Sequence, residues 1–261
     1  MMQSIAYGLT IGGILYITSI GLSLTFGTMR IVNYAHGIIY TIGAYALVTV
    51  LAMVGDHCVL AAILAVLISI PISWAIERLV ISRLYGVSID YAIIATYALI
   101  FVGVDLIKWI WGTNPIALSD PIGRIVNLFI VDLPLYRLIV IILSIVVFFC
   151  LDQFSKRTII GKVVMAGLED REAVRSLGLN VDKYFRYVFI LGSCLAALGG
   201  VLYAPITSVH PYMGFSVLNL SFAVIIVGGM GNLRGTFFSA LFLGLVMGIT
   251  GRFWGPAAEA M

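Results

Sequence analysis

The sequence predicts an all-α fold: a polytopic bundle of transmembrane helices with about eight apolar segments, some of them short or broken. Three observations predict it. Of 261 residues, 62% are hydrophobic and only 10% charged, whereas ordinary globular domains average about 45–50% and about 25%. Mean hydropathy is +1.12. The apolar share, roughly 162 residues, supplies about eight spans of about 20 residues and leaves only short loops. The apolar residues also run continuously, which excludes the alternating pattern of a membrane β-barrel.

Along the chain the apolar segments cover 5–26, 33–54, 58–76, 90–111, 135–151, 187–208, 216–230 and 236–251. The start, Met1-Met2-Gln3-Ser4, lacks the basic n-region of a cleavable signal, so the first segment is expected to be retained. Lys108-Trp109-Ile110-Trp111 closes the fourth with an anchor suited to the headgroups. The last two segments are each about 15 residues, roughly 23 Å, which is short for a core of about 30 Å. Between them runs the glycine-rich stretch Gly228 to Gly235, with Gly228, Gly229, Gly231 and Gly235 as candidate helix breaks. Gly27 and Gly37 suggest a second break, because irregular backbone survives at membrane depth only when shielded from lipid.

Two connections are long. The stretch 112–134 has Arg124 as its sole basic residue, while 152–186 holds seven of the fifteen Lys and Arg. Basic loops stay in the cytoplasm, which puts 152–186 inside together with Arg78, Arg83 and Arg30, and puts 112–134 outside. The whole of 1–261 then reads as one transmembrane domain.

Several function classes drop out. The net charge of +3 and the absence of a basic run with interleaved aromatics argue against nucleic acid. Cys58, Cys150 and Cys194 are too scattered for a disulfide framework or a metal set. No nucleophile elbow or zinc helix is present, and Gly161-Lys162-Val163 is not a Walker A loop. The chain is therefore not read as an enzyme.

Polar groups within the spans are few. Asn33, Tyr34, His36, Thr41 and Tyr45 cluster at and after the start of the second segment. They either line a substrate path or, as a packing residue, His36 satisfies a helix-break carbonyl. Asp105 and Lys108, one turn apart, can pair as an interfacial couple that needs no mechanism. The spacings Gly8-x-x-x-Gly12, Gly192-x-x-x-Ala196-x-x-x-Gly200 and Gly244-x-x-x-Gly248 mark faces for close helix approach, in this chain or in another. In the basic loop, 159–184 reads as an amphipathic helix followed by a turn. Ala166, Ala173, Val174 and Leu177 are its apolar contacts, while Glu169, Asp170, Arg171, Glu172 and Arg175 stay wet. Gly178 suits a C-terminal cap. Such a helix docks on a soluble partner or lies on the membrane surface.

At this point four stretches resemble a known family. They are Gly27-Thr28-Met29-Arg30-Ile31-Val32-Asn33-Tyr34-Ala35-His36-Gly37 with Gly43-Ala44-Tyr45, the loop Glu172-Ala173 through Gly178-Leu179-Asn180, the stretch Leu191 to Val201, and Gly228-Gly229-Met230-Gly231 through Gly235. In this order they look like the permeases of branched-chain amino acid ABC importers, over about residues 8 to 260. The resemblance implies an import permease in the bacterial inner membrane, driven by two cytoplasmic ATPases that bind ATP and magnesium. It also implies a second, related permease and a periplasmic binding protein that delivers substrate. No cofactor is implied in this chain itself. Residues 165–178 are implied as the ATPase-coupling helix. Asn33, Tyr34, His36, Tyr45 and Asn219 are our candidates for the substrate pathway.

Two features depart from that family pattern. Arg234 stands where a small residue or proline is expected, and Met261 falls where family members continue into a final span. Substrates implied are leucine, isoleucine or valine, with urea and short amides as the alternative. A self-sufficient secondary transporter or channel is the rival class, and it calls for a carboxylate deep in a span. A purely structural membrane subunit needs no docking loop.

Overall fold

A computed structural model describes residues 2–29, 31–55, 57–127 and 132–254. Arg30, part of the 112–134 connection and the closing stretch from Gly255 to Met261 lie outside the described residues. The helices are α1 (Met2–Met29), α2 (Ala35–Val54), α3 (Cys58–Leu79), α4 (Ile89–Trp111), α5 (Leu135–Arg157), α6 (Ile159–Glu169), α7 (Arg171–Ser176), α8 (Val181–Tyr203), α9 (Met213–Gly228) and α10 (Leu233–Trp254), with a 3-10 turn at Ile81–Leu84. Among the described residues seven helices are long and apolar enough to cross a membrane. The protein is a multi-pass helical membrane bundle.

Helices win here because in hydrocarbon every backbone N–H and C=O must find its partner within the segment. Several threonine hydroxyls in the spans are satisfied the same way, whereas the hydroxyls of Tyr16, Ser19, Tyr40, Tyr45, Ser193 and Ser221 are buried without a partner among the described residues. Thr10 donates to the Ala6 carbonyl at 2.9 Å, Thr18 to Ile14 at 3.0 Å and Thr41 to Gly37 at 3.0 Å. The core has two lobes. In one, α1 is enclosed by α10, α8, α5 and α9 around buried Tyr16, Ile17 and Ile20. In the other, α2 is enclosed by α8, α3, α9 and α4 around buried Tyr40, Tyr45, Phe185 and Phe189. Helix α8 takes part in both lobes and joins them.

The small-residue faces meet each other inside the chain. A Cβ on Gly8 would stand 2.7 Å from the Gly244 carbonyl, and one on Gly248 would stand 2.6 Å from Gly8 Cα. Gly192 abuts the Gly21 carbonyl, and Gly200 abuts Tyr40 of α2. Those spacings are thus used up in packing α1 on α10 and α8 on α1 and α2.

Three expectations are corrected. The last segment is not short: α10 runs for 22 residues, about 33 Å, because Leu233 to Thr236 are already helical despite their low hydropathy. Of the last two segments only α9, with 16 residues or about 24 Å, is short for a span. The stretch 159–184 is not one helix. It breaks at Asp170, whose carboxylate accepts from the backbone N–H groups of Glu172 and Ala173 at 2.9 and 3.0 Å and so starts α7 afresh. A third helix, α8, then begins at Val181, capped by Asn180, which accepts from Lys183 N–H. Finally, Gly27 and Gly37 are both helical, and the backbone break falls between them. The 112–134 connection also carries a small antiparallel ribbon, β1 (Ile125–Asn127) with β2 (Asp132–Pro134).

Candidate translocation face

The break between α1 and α2 is largely enclosed, with Val32 and Tyr34 half-buried. Ile31, Asn33, Ala35 and His36 are at most 4% exposed, so its backbone groups need protein partners. The Asn33 side chain accepts from Ala35 N–H at 3.1 Å, and the Val32 carbonyl accepts from Thr96 of α4 at 2.9 Å. Asn33 Nδ2 is buried without a partner among the described residues. His36 Nε2 stands 2.9 Å from the Thr18 carbonyl. A carbonyl only accepts, so the imidazole proton sits on Nε2 and Nδ1 faces the core unpaired. Tyr45 is fully buried against Trp111, ring centroids 5.2 Å apart, and Trp111 in turn donates to Thr49 at 2.8 Å. Asn33, His36 and Tyr45 therefore stand inside the packing of α2 and touch no open surface.

Tyr34 and Asn219 are different. Tyr34 is half-buried, and its ring meets Tyr97 of α4 and Phe222 of α9, each at 5.1 Å. From there an aromatic wall runs toward the far end of the bundle. Tyr97 meets Phe101 at 5.1 Å, Phe101 meets Phe215 at 5.4 Å, and Phe215 meets Tyr212 at 6.5 Å. The Lys108 ammonium lies 4.6 Å over the Tyr212 ring and donates to Asp105 at 3.0 Å. Ser216 and Asn219 are exposed on the same side of α9 as Tyr212, at helical spacing. The result is one open face on α4 and α9 that mixes rings with hydroxyl, amide, carboxylate and ammonium.

Hydropathy did not single this face out, because a window average merges its scattered polar residues with the aliphatic residues on the other sides of the same helices. The spacing Tyr97, Phe101, Asp105 on one helix and Tyr212, Ser216, Asn219 on the next was a readable signal.

At the other end, α6 opens on Thr158, which accepts from Gly161 N–H at 3.0 Å. It buries Gly161, Val163, Val164 and Gly167 toward α5, α8 and α1. Met165, Ala166, Glu172, Ala173, Arg175 and Leu177 are exposed, Leu177 by 77%. Val174 makes its apolar contact within the chain, buried to 5% exposure. The side chains of Glu169 and Arg171 lie outside the described residues. Gly178 has a φ of +79°, the left-handed value a helix stop favours.

The elbow joining α9 to α10 sits at this same end. Gly229 and Gly231 both have positive φ, 87° and 78°. Gly231 N–H donates to Ser23 of α1 at 3.1 Å, and Asn232 accepts from Gly235 N–H at 3.1 Å. Gly228 and Gly235 face each other too closely for any side chain. Arg234 reaches Asp152 at the end of α5, N···O 3.5 Å, where Lys156 also pairs. That ion pair gives the unexpected arginine a partner within the chain.

One group was missed from the sequence. Glu77, wholly buried in the last turn of α3, accepts from Arg186 Nε of α8 at 2.7 Å and from the Tyr85 hydroxyl at 3.0 Å. It ties the α3–α4 connection to the first turns of α8.

A family profile described as the permease component of branched-chain amino acid transport systems matches residues 4–259. This chain belongs to that family. Among curated proteins, the permease is 26% identical over 259 residues to the high-affinity branched-chain amino acid transport permease LivH of Salmonella typhimurium, covering 94% of this chain and 84% of that one. It is 26% identical over 258 residues to BraD of Pseudomonas aeruginosa, described in the same terms, with the same coverage. A probable branched-chain amino acid permease of Methanocaldococcus jannaschii is 24% identical, over 91% of this chain and 76% of that one. No solved structure matches.

Proposed function

We propose that this permease is a membrane subunit of an ATP-driven importer for branched-chain or other small amino acids. It forms the translocation pathway with a second, related permease across the α4–α9 face. Two cytoplasmic ATPases, which bind the ATP and magnesium, engage the exposed side of residues 165–178. A binding protein brings substrate to the opposite side of a bacterial inner membrane, with 152–186 in the cytoplasm. One domain, 1–261, carries all of this.

The observation that carries the reading is the polar content of the α4–α9 face. Asp105 and Asn219 are exposed within apolar helices, where a lipid contact is expensive and a polar cavity is not. The family membership supports the substrate class, and the absence of a Walker A loop fits ATPases supplied in trans.

The test is purification of the tagged chain from native membranes with its companions, followed by reconstitution into liposomes. Leucine uptake that requires ATP on the side of residues 152–186, and that Arg175→Glu abolishes, supports the proposal. A chain that purifies alone and moves leucine down its gradient without ATP overturns it in favour of a secondary transporter. Uptake of urea or acetamide in place of leucine moves the importer to the amide class.

A further inference from the structure

The ion pair at the far end of the aromatic wall is oddly sited for an interfacial couple. Asp105 lies one turn deeper in α4 than Trp109, about 9 Å inside the helix end at Trp111. Its side chain is 76% exposed, against 26% for Lys108. A lysine at that depth can extend its four-carbon stem to the headgroups, but an aspartate with one methylene cannot. The surface onto which Asp105 opens is therefore wet. It is the same surface that shows Ser216, Asn219 and the edges of Phe101 and Tyr97.

Resting on the permease reading above, we propose that Asp105 and Lys108, with the ring of Tyr212, form an entry subsite for a zwitterionic amino acid. Asp105 takes the substrate ammonium and Lys108 its carboxylate. The apolar side chain lies on Phe101 and Phe215. The chemistry selects zwitterions. Unliganded, Asp105 and Lys108 neutralise each other at 3.0 Å. A zwitterion inserted between them replaces one neutral pair by two and leaves no charge unmatched. A solute carrying only an ammonium or only a carboxylate opens the pair and strands one partner. Lys108 is the part that moves, because its flexible stem can leave Asp105 while the ammonium stays over the Tyr212 ring.

The test uses the purified complex of the permease with its companions, without the binding protein, and radiolabelled leucine as probe. Leucinamide, which lacks the carboxylate, and 4-methylpentanoate, which lacks the ammonium, serve as competitors. The unaltered complex is expected to prefer leucine to both by about tenfold or more. Asp105→Asn should weaken leucine by a similar factor while tightening 4-methylpentanoate, which no longer strands a carboxylate, and Lys108→Gln should weaken leucine while tightening leucinamide. Both side chains are on the surface, so the variants are expected to assemble normally by size-exclusion chromatography.

Unchanged leucine binding in both variants overturns the subsite. So does equal weakening of all three solutes, which marks an assembly contact, and so does an unaltered complex that binds no leucine. If the variants instead need more binding protein to stimulate ATP hydrolysis while binding leucine normally, the pair is a docking contact and the subsite is wrong. Loss of ATP-dependent uptake by the unaltered complex overturns the importer reading without touching the subsite, which is read by binding alone.

Discussion

Replacing Arg186 by methionine tests how the bundle is held together at the end that carries α6 and α7. Glu77 has no exposed surface, and its two oxygens take one bond of 2.7 Å from Arg186 and one of 3.0 Å from Tyr85. The partners are unequal, because Arg186 keeps 34% of its side chain exposed. Glu77→Gln therefore leaves a guanidinium that water can reach, and costs about 1.5–3 kcal/mol for the lost charged bonds. Arg186→Met leaves a buried carboxylate with Tyr85 as its remaining donor among the described residues, and costs about 3–5 kcal/mol.

Removing both charges together, Glu77→Gln with Arg186→Met, leaves no uncompensated ion. The double variant should then be more stable than Arg186→Met alone. The assay is equilibrium unfolding by SDS in mixed micelles, followed by circular dichroism, as a double-mutant cycle. A double variant that loses the sum of the single losses refutes the reasoning, since independent sites add and coupled sites do not. A larger loss for Glu77→Gln than for Arg186→Met refutes the asymmetry.

Three further outcomes are expected. Gly192→Ala sets a methyl 2.7 Å from the Gly21 carbonyl, and prising α8 from α1 should cost about 1–3 kcal/mol, read in the same SDS titration. His36→Ala removes a bond inside the α1–α2 packing, so folded yield and uptake should fall together while uptake per folded molecule holds. A specific loss of uptake at normal yield would return His36 to the pathway. Partial burial holds the His210 imidazole below its ordinary value in the loop between α8 and α9. Because the unfolded chain then binds the proton more readily, this contribution to stability is present above about pH 6.5 and is lost as pH falls from there through the lower folded-state value. His210→Asn should flatten the slope measured between pH 7 and 5.

Much of the architecture was legible because membrane helices announce themselves by length and composition. The starts of α3, α4 and α5 fall within a residue of the apolar segments read from the sequence. The ends were harder. Leu233 to Thr236 are helical although Arg234 and Gly235 depress any hydropathy window, since capping by Asn232 and the pair with Asp152 offset them. Which way a helix faces was less legible still. Asn33, His36 and Tyr45 were singled out for their polarity, yet polarity is the same whether a group lines a path or bonds a neighbour. The neighbours, Thr18 and Trp111, are remote in sequence. Glu77 was passed over for the same reason, because its partner lies 109 residues away.

The seam of glycines between α1 and α10 has a consequence for how the molecule is made. Helix α1 reaches the membrane before the other described helices, yet α8, α9 and α10, which enclose it, are encoded more than 150 residues later. At about 5–20 residues per second, α1 waits on the order of ten seconds or longer before its last neighbour emerges. During that interval Gly8 and Gly12 present bare backbone with no groove to fill. Biogenesis must therefore keep this first span monomeric, and a membrane insertase that retains α1 until α10 arrives would meet that need.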